Sequence, residues 1–469
     1  MTNIPLTITE AAAALRAGTL TSVALTRATL ARADALDATL GVFITRMDDA
    51  ALEAAARADA DFAAGVDRGP LQGIPLGVKD IIATVDAPTT AQSLILDRAW
   101  GAGRDAPVVA RLRAAGAVIS GKTSTMEFAI GMPDASKPFP VPRNPWNPET
   151  WPGGSSSGTG AGVAAGLFLG GLGTDTGGSV RIPAAFCGIS GLKQTFGRVP
   201  KSGCAPLGYS LDHIGPMTRS ARDCASMLQV LAGYDASDPT CADVPVPDYL
   251  AALTGSLEGV RVGVERAHHL TAPGVVPEAV EAFEAAVGVL GAAGARTRAV
   301  SLPYYEQTRA AGTVTMRGEA SSYHLADLGT RWSEYGVHTS KAVSQGAFVS
   351  AADYVQAQRF RAFARRAVGE LMAGLDVIVM PAAGRGAPAV AGLDHTSFSS
   401  WPIFTQYWNA LGLPVIAIPM GFTADGLPLS LQIAGKPFAE ATVLRVADAY
   451  QQATDWHLRV PAIASTVAA

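Results

Sequence analysis

Between Trp151 and Arg198 the chain concentrates glycine, serine and threonine, yet sets them among apolar residues, which is not how a flexible linker is composed. Two clusters stand out: Pro152-Gly-Gly-Ser155-Ser156-Ser157-Gly-Thr-Gly160 and Gly173-Thr-Asp-Thr-Gly-Gly-Ser179-Val-Arg-Ile-Pro183. Glycine beside hydroxyls permits positive φ and brings backbone N–H groups close to a reacting atom, as an oxyanion-binding turn requires. One Gly-Gly-Ser alone is an ordinary tight turn. Two in one short apolar segment, with a lysine on an apolar stretch upstream, point to nucleophilic chemistry.

A serine hydroxyl attacks a carbonyl only when a base takes its proton, and the usual base is histidine. His213, His268, His269, His324, His338, His395 and His457 are scattered, and none adjoins a recognisable Ser or Asp motif. Lys79, in Ile74-Pro-Leu-Gly-Val-Lys-Asp80, is the candidate base instead. Burial on an apolar strand penalises its ammonium and lowers its pKa, and a neutral lysine accepts a proton. The alternative is a strand-end lysine paired with Asp80.

These residues resemble the amidase signature family. The family's pattern runs Gly-Gly-Ser-Ser, an Ala/Gly-rich helix, Gly-Thr-Asp-x-Gly-Gly-Ser-x-Arg-x-Pro and a Lys-Pro-Thr-x-Gly-Arg-like end. It is matched from Gly153 to Arg198, with Gln194 in place of the usual proline. Gly77-Val-Lys79-Asp80, Gly412-Leu-Pro414 and Asp425-Gly-Leu-Pro428 match further elements, so the resemblance covers nearly the whole chain. It implies Ser179 as nucleophile, Ser155 as bridging serine after a cis Gly154–Ser155 bond, and Lys79 as base. The implied oxyanion hole is the backbone N–H groups around Thr176, Gly177, Gly178 and Ser179.

The implied activity is hydrolysis of amide-type C–N bonds through an acyl-enzyme, with no metal or organic cofactor. The resemblance also places the segment before Gly412 near the acyl pocket, and Met126 is expected among the substrate-binding residues. That segment, Trp401-Pro-Ile-Phe404-Thr-Gln-Tyr407-Trp408-Asn409, offers Phe404, Tyr407 and Trp408 as walls of an aryl or apolar pocket, with core packing as the alternative. Aryl amides and carbamates (urethanes) are the expected substrates. Charged acyl groups are expected to be poor, since the segment holds no Arg or Lys. One branch of the family serves instead as the catalytic subunit of tRNA-dependent amidotransferases, which need partner subunits, ATP and an amide donor.

Two other motifs compete. Residues 116–123, Gly-Ala-Val-Ile-Ser-Gly-Lys-Thr, satisfy the phosphate-loop pattern and raise nucleotide binding as a rival. Here, though, a helix precedes and Ala117 to Ile119 read as strand, whereas a phosphate loop follows a strand and opens a helix. Gly154-Ser-Ser-Ser-Gly158 fits a nucleophile elbow, but no strand precedes it.

Helical patterns cover Thr9–Ala17, the run from Thr21 or Ser22 toward Leu36, and about Asp48–Ala64, each of the first and third closed by a glycine. Beyond them short apolar runs alternate with helices. Strands are expected at Leu71–Asp80, Ala117–Ser120, Val260–Val264, Val377–Met380, Val415–Pro419 and Leu429–Ile433, with a helix at Pro107–Ala115. Ser220-Ala-Arg-Asp223 reads as a capping box, and Asp235 to Pro247 as a surface loop. The expected fold is α/β: a single large layered α/β/α domain with a mostly buried mixed β-sheet. Its parts are a helical N-terminal segment (1–65), a catalytic core (66–232), and a remainder (233–469) that completes the sheet, its covering helices and the pocket.

A net charge of -4 without basic runs offers no field for nucleic acid or an anionic membrane. No apolar stretch approaches the roughly 20 residues that span a bilayer. Cys187, Cys204, Cys224 and Cys241 lack metal-ligand spacing and are too few to staple such a chain, which fits a reduced cytoplasm. The expected partner is a small amide or carbamate, and the expected state a monomer or homodimer.

Overall fold

Strands at the C-terminal ends of which side chains can meet are what the site requires, and the chain supplies them in one mixed sheet. The computed structural model describes residues 5–394 and 400–465. Eleven strands form the sheet: β1 (Phe43–Arg46), β2 (Pro75–Lys79), β3 (Val118–Thr123), β4 (Gly170–Thr174), β5 (Ser190–Lys193), β6 (Ile214–Thr218), β7 (Arg261–Glu265), β8 (Arg296–Val300), β9 (Val377–Pro381), β10 (Val415–Phe422) and β11 (Pro428–Gly435). Their order is β1-β3-β2-β4-β6-β5-β10-β11-β9-β7-β8. Parallel pairing joins β2 to β3 and β4, and β7 to β8 and β9; the other pairs are antiparallel. The sheet is unbroken from end to end, so the chain is one domain.

Both faces are covered, which is why the central strands read as continuous apolar or glycine-rich runs. One face carries helices Ala221–Leu231, Pro277–Ala292 and Glu440–Gln452, whose Leu228, Phe283, Leu290 and Leu444 share an apolar cluster with Leu431 and Ile433 of β11. Helices Ser157–Ala165 and Arg181–Cys187 belong to a second apolar cluster with Trp151, Phe168 and Phe186. Every residue of Ser157–Ala165 is buried. Its small side chains let it lie close to the sheet: a Cβ on Gly162 would collide with the Phe168 ring, and one on Gly77 would approach the same ring to 2.7 Å. The exposed edge strand β8 carries Arg296 and Arg298, charges that discourage pairing with another chain.

The expected elements appear with shifted limits. The first helix is Ile8–Arg16, the second runs Ser22–Leu40 from a Thr21 cap to Gly41 at φ 60°, and the third is Asp48–Ala63. The strand expected from Leu71 begins at Pro75, because Gly73 turns the chain at φ 74°. Ser220 caps its helix, accepting from Asp223 N–H at 3.1 Å, but there is no reciprocal box. Asp223 instead accepts from Ile8 and Thr9, tying the N-terminal helix to the body. Residues 235–247 form a loop, as expected. The long helices Tyr305–Thr330 and Ala351–Met372 had no expectation, because neither carries a clean apolar stripe. Among the described residues no helix is long and apolar enough to cross a membrane.

Phe168 is fully buried, edge-on to Phe43 at 5.7 Å, and sits where β2 and the small-residue helix meet. Phe168→Ala is expected to cost about 3–5 kcal/mol, read as a lower urea midpoint. A midpoint equal to the native one would show that the helix is not held by this ring.

Candidate active site

Lys79 ends β2 beside the end of β4, and its side chain is wholly buried. Its Nζ donates to Ser155 Oγ and to Thr174 Oγ1, each at 2.7 Å. Burial pushes the ammonium down to about 7, against the opposing pull of Cys204, Asp175 and Asp212. Asp80 is not its partner. That carboxylate pairs with Lys122 at 2.9 Å, both fully buried, and Lys122 also donates to Thr89 Oγ1 at 2.8 Å. Lys122 belongs to β3, in register with Val78, and Val118–Thr123 is buried throughout. Residues 116–123 are therefore no phosphate loop: they enter a strand, not a helix, and their lysine is neutralised inside the protein.

The Gly154–Ser155 peptide bond is cis. Three adjacent serines then take different tasks. Ser155 Oγ meets Lys79; Ser156 Oγ accepts from Thr174 N–H at 3.1 Å and donates to the Thr174 carbonyl at 3.2 Å; Ser157 Oγ donates to the Gly153 carbonyl at 2.6 Å. Ser156 thus pins the end of β4, which carries the second hydroxyl on Lys79.

The second cluster is a turn held by a buried ion pair. Arg181 places all of its N–H groups: Nε on Asp175 Oδ2 (3.0 Å), Nη2 on Asp175 Oδ1 (3.0 Å) and Asn409 Oδ1 (2.6 Å), Nη1 on Gln432 Oε1 (2.8 Å) and the Thr405 carbonyl (2.9 Å). Burial alone would raise the Asp175 pKa, but Arg181, with Lys193 and Asn409, holds it well below the usual carboxylate range. His213 is buried behind this pair, its backbone paired with that of Asp175. Val180 N–H also binds Asp175, at 3.2 Å.

Between the two charged residues, the N–H groups of Thr176, Gly177, Gly178 and Ser179 find no acceptor among the described residues. Gly178 has φ 136°, and a Cβ there would collide with Thr405 Oγ1, so only glycine fits. Thr405 Oγ1 donates to the Gly177 carbonyl at 2.7 Å. Thr176 Oγ1 donates to Asp212 at 2.6 Å; burial pushes that carboxyl up to about 6, against this bond and those from Gly208 and Leu207. The two clusters are joined by Ser156 N–H to the Ser179 carbonyl at 3.2 Å. Ser179 Oγ makes no hydrogen bond within the described chain, to Ser155 or to any histidine, and Ser179 lines a cavity; His395 lies outside the described residues.

That cavity, about 300 Å³, is lined by Gly154, Gly177 and Ser179 and walled by Met126, Trp151, Ile182 and Trp401. Met126, one of the expected substrate-binding residues, lines this cavity together with Ser179. Phe404, Tyr407 and Trp408 do not: they are buried, Tyr407 and Trp408 packing with Tyr305 and Met380, and Phe404 edge-on to His269. Tyr407 lies in helix Gln406–Leu411, whose inner face turns away from the cavity; its hydroxyl donates to the Pro303 carbonyl at 2.9 Å. From the segment 401–409, Trp401, Ile403, Thr405 and Gln406 reach the cavity instead. Cations come from elsewhere, since Arg309 and Arg317 of helix Tyr305–Thr330 line it as well. A larger cavity of about 620 Å³, between Phe196, Arg361 and Met372, holds none of these hydroxyls.

Sequence reasoning passed over Thr174, Asp175 and Arg181, although all three lie inside the quoted motif. Asn409 and Gln432 left no local signal, being more than two hundred residues from the turn they hold.

The family model described as Amidase matches residues 24–444. A glutamyl-tRNA(Gln) amidotransferase subunit from Roseiflexus sp. (strain RS-1) is 42% identical over 97% of this chain and 98% of its own. Among solved structures, the native peptide amidase from Stenotrophomonas maltophilia has a TM-score of 0.82 at 31% identity, covering 96% of this chain and 98% of its own. A structure described as an unexpected vestigial protein complex, revealing the origins of an s-triazine catabolic enzyme, has a TM-score of 0.87 at 31% identity, covering 95% and 98%.

Arg181→Met leaves the buried Asp175 carboxylate without its cation, and is expected to cost about 3–5 kcal/mol in denaturant unfolding. Asp175→Asn added to it should recover part of that loss, because the orphaned charge is gone. Equal stability of the native chain and the single variant would show that the pair does not hold the turn.

Proposed function

This chain belongs to the amidase family, and from that premise we propose that it hydrolyses an amide C–N bond through an acyl-enzyme on Ser179, with Ser155 and Lys79 relaying the proton. The reading is carried by one juxtaposition: a buried lysine lowered to about 7 and bonded to Ser155, next to a turn whose free N–H groups surround a cavity-facing serine. Neutral Lys79 takes the Ser155 proton as Ser155 takes that of Ser179. Ser179 Oγ bonds to the carbonyl carbon, and the N–H groups of residues 176–179 stabilise the oxyanion, at about 3–4 kcal/mol per donor. The C–N bond breaks as the proton returns through Ser155 to the leaving nitrogen. Water then attacks the acyl ester along the same relay and releases the acid. The Ser155–Ser179 link closes when substrate is bound, as catalytic hydrogen bonds commonly do.

For the physiological role, the relatives favour the amide-cleaving subunit of an amidotransferase over a free-standing aryl amidase. Relatives named as glutamyl-tRNA(Gln) amidotransferase subunits match along almost their whole length, and Phe404, Tyr407 and Trp408, the residues expected to wall an aryl pocket, are buried and do not line the cavity. In that role the chain works beside other subunits, with the released nitrogen passed to an acceptor. Carbamate cleavage asks the same chemistry of the relay and has no separate support. Activity of the purified chain on a simple primary amide, with and without partner subunits, separates the two roles.

Lys79→Ala is expected to lower kcat/KM about 10²–10⁴-fold. In the native chain kcat/KM should rise with pH through about 7, since below that value Lys79 is protonated and cannot accept the serine proton. A flat profile between pH 5 and 9, or full activity in Lys79→Ala, would remove lysine as the base.

A further inference from the structure

We propose that the cavity takes an amide whose acyl part carries a carboxylate, and that Arg317 binds that carboxylate; this deepens the reading of Ser179 as the nucleophile and rests on it. Arg309, Thr313, Met316 and Arg317 are spaced along one face of helix Tyr305–Thr330 and line the same cavity as Ser179. No Asp, Glu, Lys or His lines that cavity, so its two guanidinium groups are the only ionised side chains on its wall among the described residues. Arg309 is partly neutralised, its Nη1 donating to Glu306 at 2.9 Å. Arg317 is half-buried and its side chain makes no hydrogen bond or ion pair with any described residue.

Two carboxylates that neighbour Arg317 or the cavity-lining Met126 along the chain are committed elsewhere. Glu319 accepts from Ser210 Oγ and Tyr354 Oη, each at 2.7 Å. Glu127 accepts from Ser93 Oγ at 2.6 Å and Gly336 N–H at 2.7 Å. A half-buried guanidinium against apolar walls such as Met126 and Ile182 is stabilised by an incoming anion that fits its planar fork. One unpaired cation balances one negative charge, which a carboxylate carries and a phosphate exceeds. The Ser179 hydroxyl and Arg317 then hold the two ends of a short amide acid. This reverses the expectation that charged acyl groups are poor substrates, because that expectation considered only residues 401–409.

The test compares succinamate with butyramide, which has a methyl where succinamate has its carboxylate. In the native chain kcat/KM for succinamate should exceed that for butyramide, and Arg317→Met should shrink that ratio about 10–100-fold, with Arg317→Lys in between. Calorimetric titration into Ser179→Ala reads binding without turnover: succinamate should bind, and bind at least about tenfold more weakly to Ser179→Ala/Arg317→Met. Equal affinity of those two proteins for succinamate, or no preference of Ser179→Ala for succinamate over butyramide, overturns the assignment of Arg317. Continued native-rate hydrolysis by Ser179→Ala would instead sink the nucleophile reading, with Arg317 still judged by the titration.

Discussion

The buried pair of Asp175 and Arg181 is the interaction on which the site depends. Two charges removed from water are costly, and they persist only when every donor and acceptor is used. Here each N–H of the guanidinium has an acceptor, and Asn409 bridges both partners. With the ends of the turn clamped, the peptides between them cannot rotate to find other partners, and residues 176–179 keep their N–H groups free. The same guanidinium reaches Gln432 of β11 and the carbonyl of Thr405, which precedes helix Gln406–Leu411, so the turn is fastened to a strand and a helix that lie far along the chain. Preorganisation of this kind stabilises a developing oxyanion without reorganisation during the reaction.

Lowered lysine pKa is not by itself the mark of a base in this protein. Burial brings Lys193 down to about 7 as it does Lys79. Lys193, however, donates to the carbonyls of Gln194 and Leu413 and meets the His213 ring at 3.4 Å, with no serine hydroxyl in reach. Lys122 is buried too, and keeps a carboxylate beside it. Lys79 alone of the three meets a serine hydroxyl, and unlike Lys122, which also donates to a threonine hydroxyl, it has no counter-charge within bonding distance. Partner chemistry, rather than burial, separates a relay from two structural cations.

The fold class and the local parts of the site were legible in the sequence because they depend on neighbours in the chain. Lys79 on an apolar strand, the cis bond before Ser155 and the glycine turn at Ser179 each rest on residues adjacent in the chain, and the resemblance named them. The walls of the cavity were not legible. Whether Trp408 faces the cavity or the core depends on how helix Gln406–Leu411 packs on Tyr305 and Met380, which no local pattern encodes. Helix Tyr305–Thr330 supplies Arg309 and Arg317 from a stretch with no motif and a weak apolar stripe. Charge in the cavity is therefore a property of tertiary packing, and a reading confined to residues 401–409 missed it.

The central claim is that Ser179, activated by Lys79 through Ser155, becomes the acylated atom. Peptide mass spectrometry of the full-length chain after treatment with an uncharged fluorophosphonate tests it most directly. The account predicts a single adduct on the peptide carrying Ser179, absent from Ser179→Ala and formed far more slowly in Lys79→Ala. An adduct on Ser155 or another residue, or labelling of Ser179→Ala at the native rate, would contradict it.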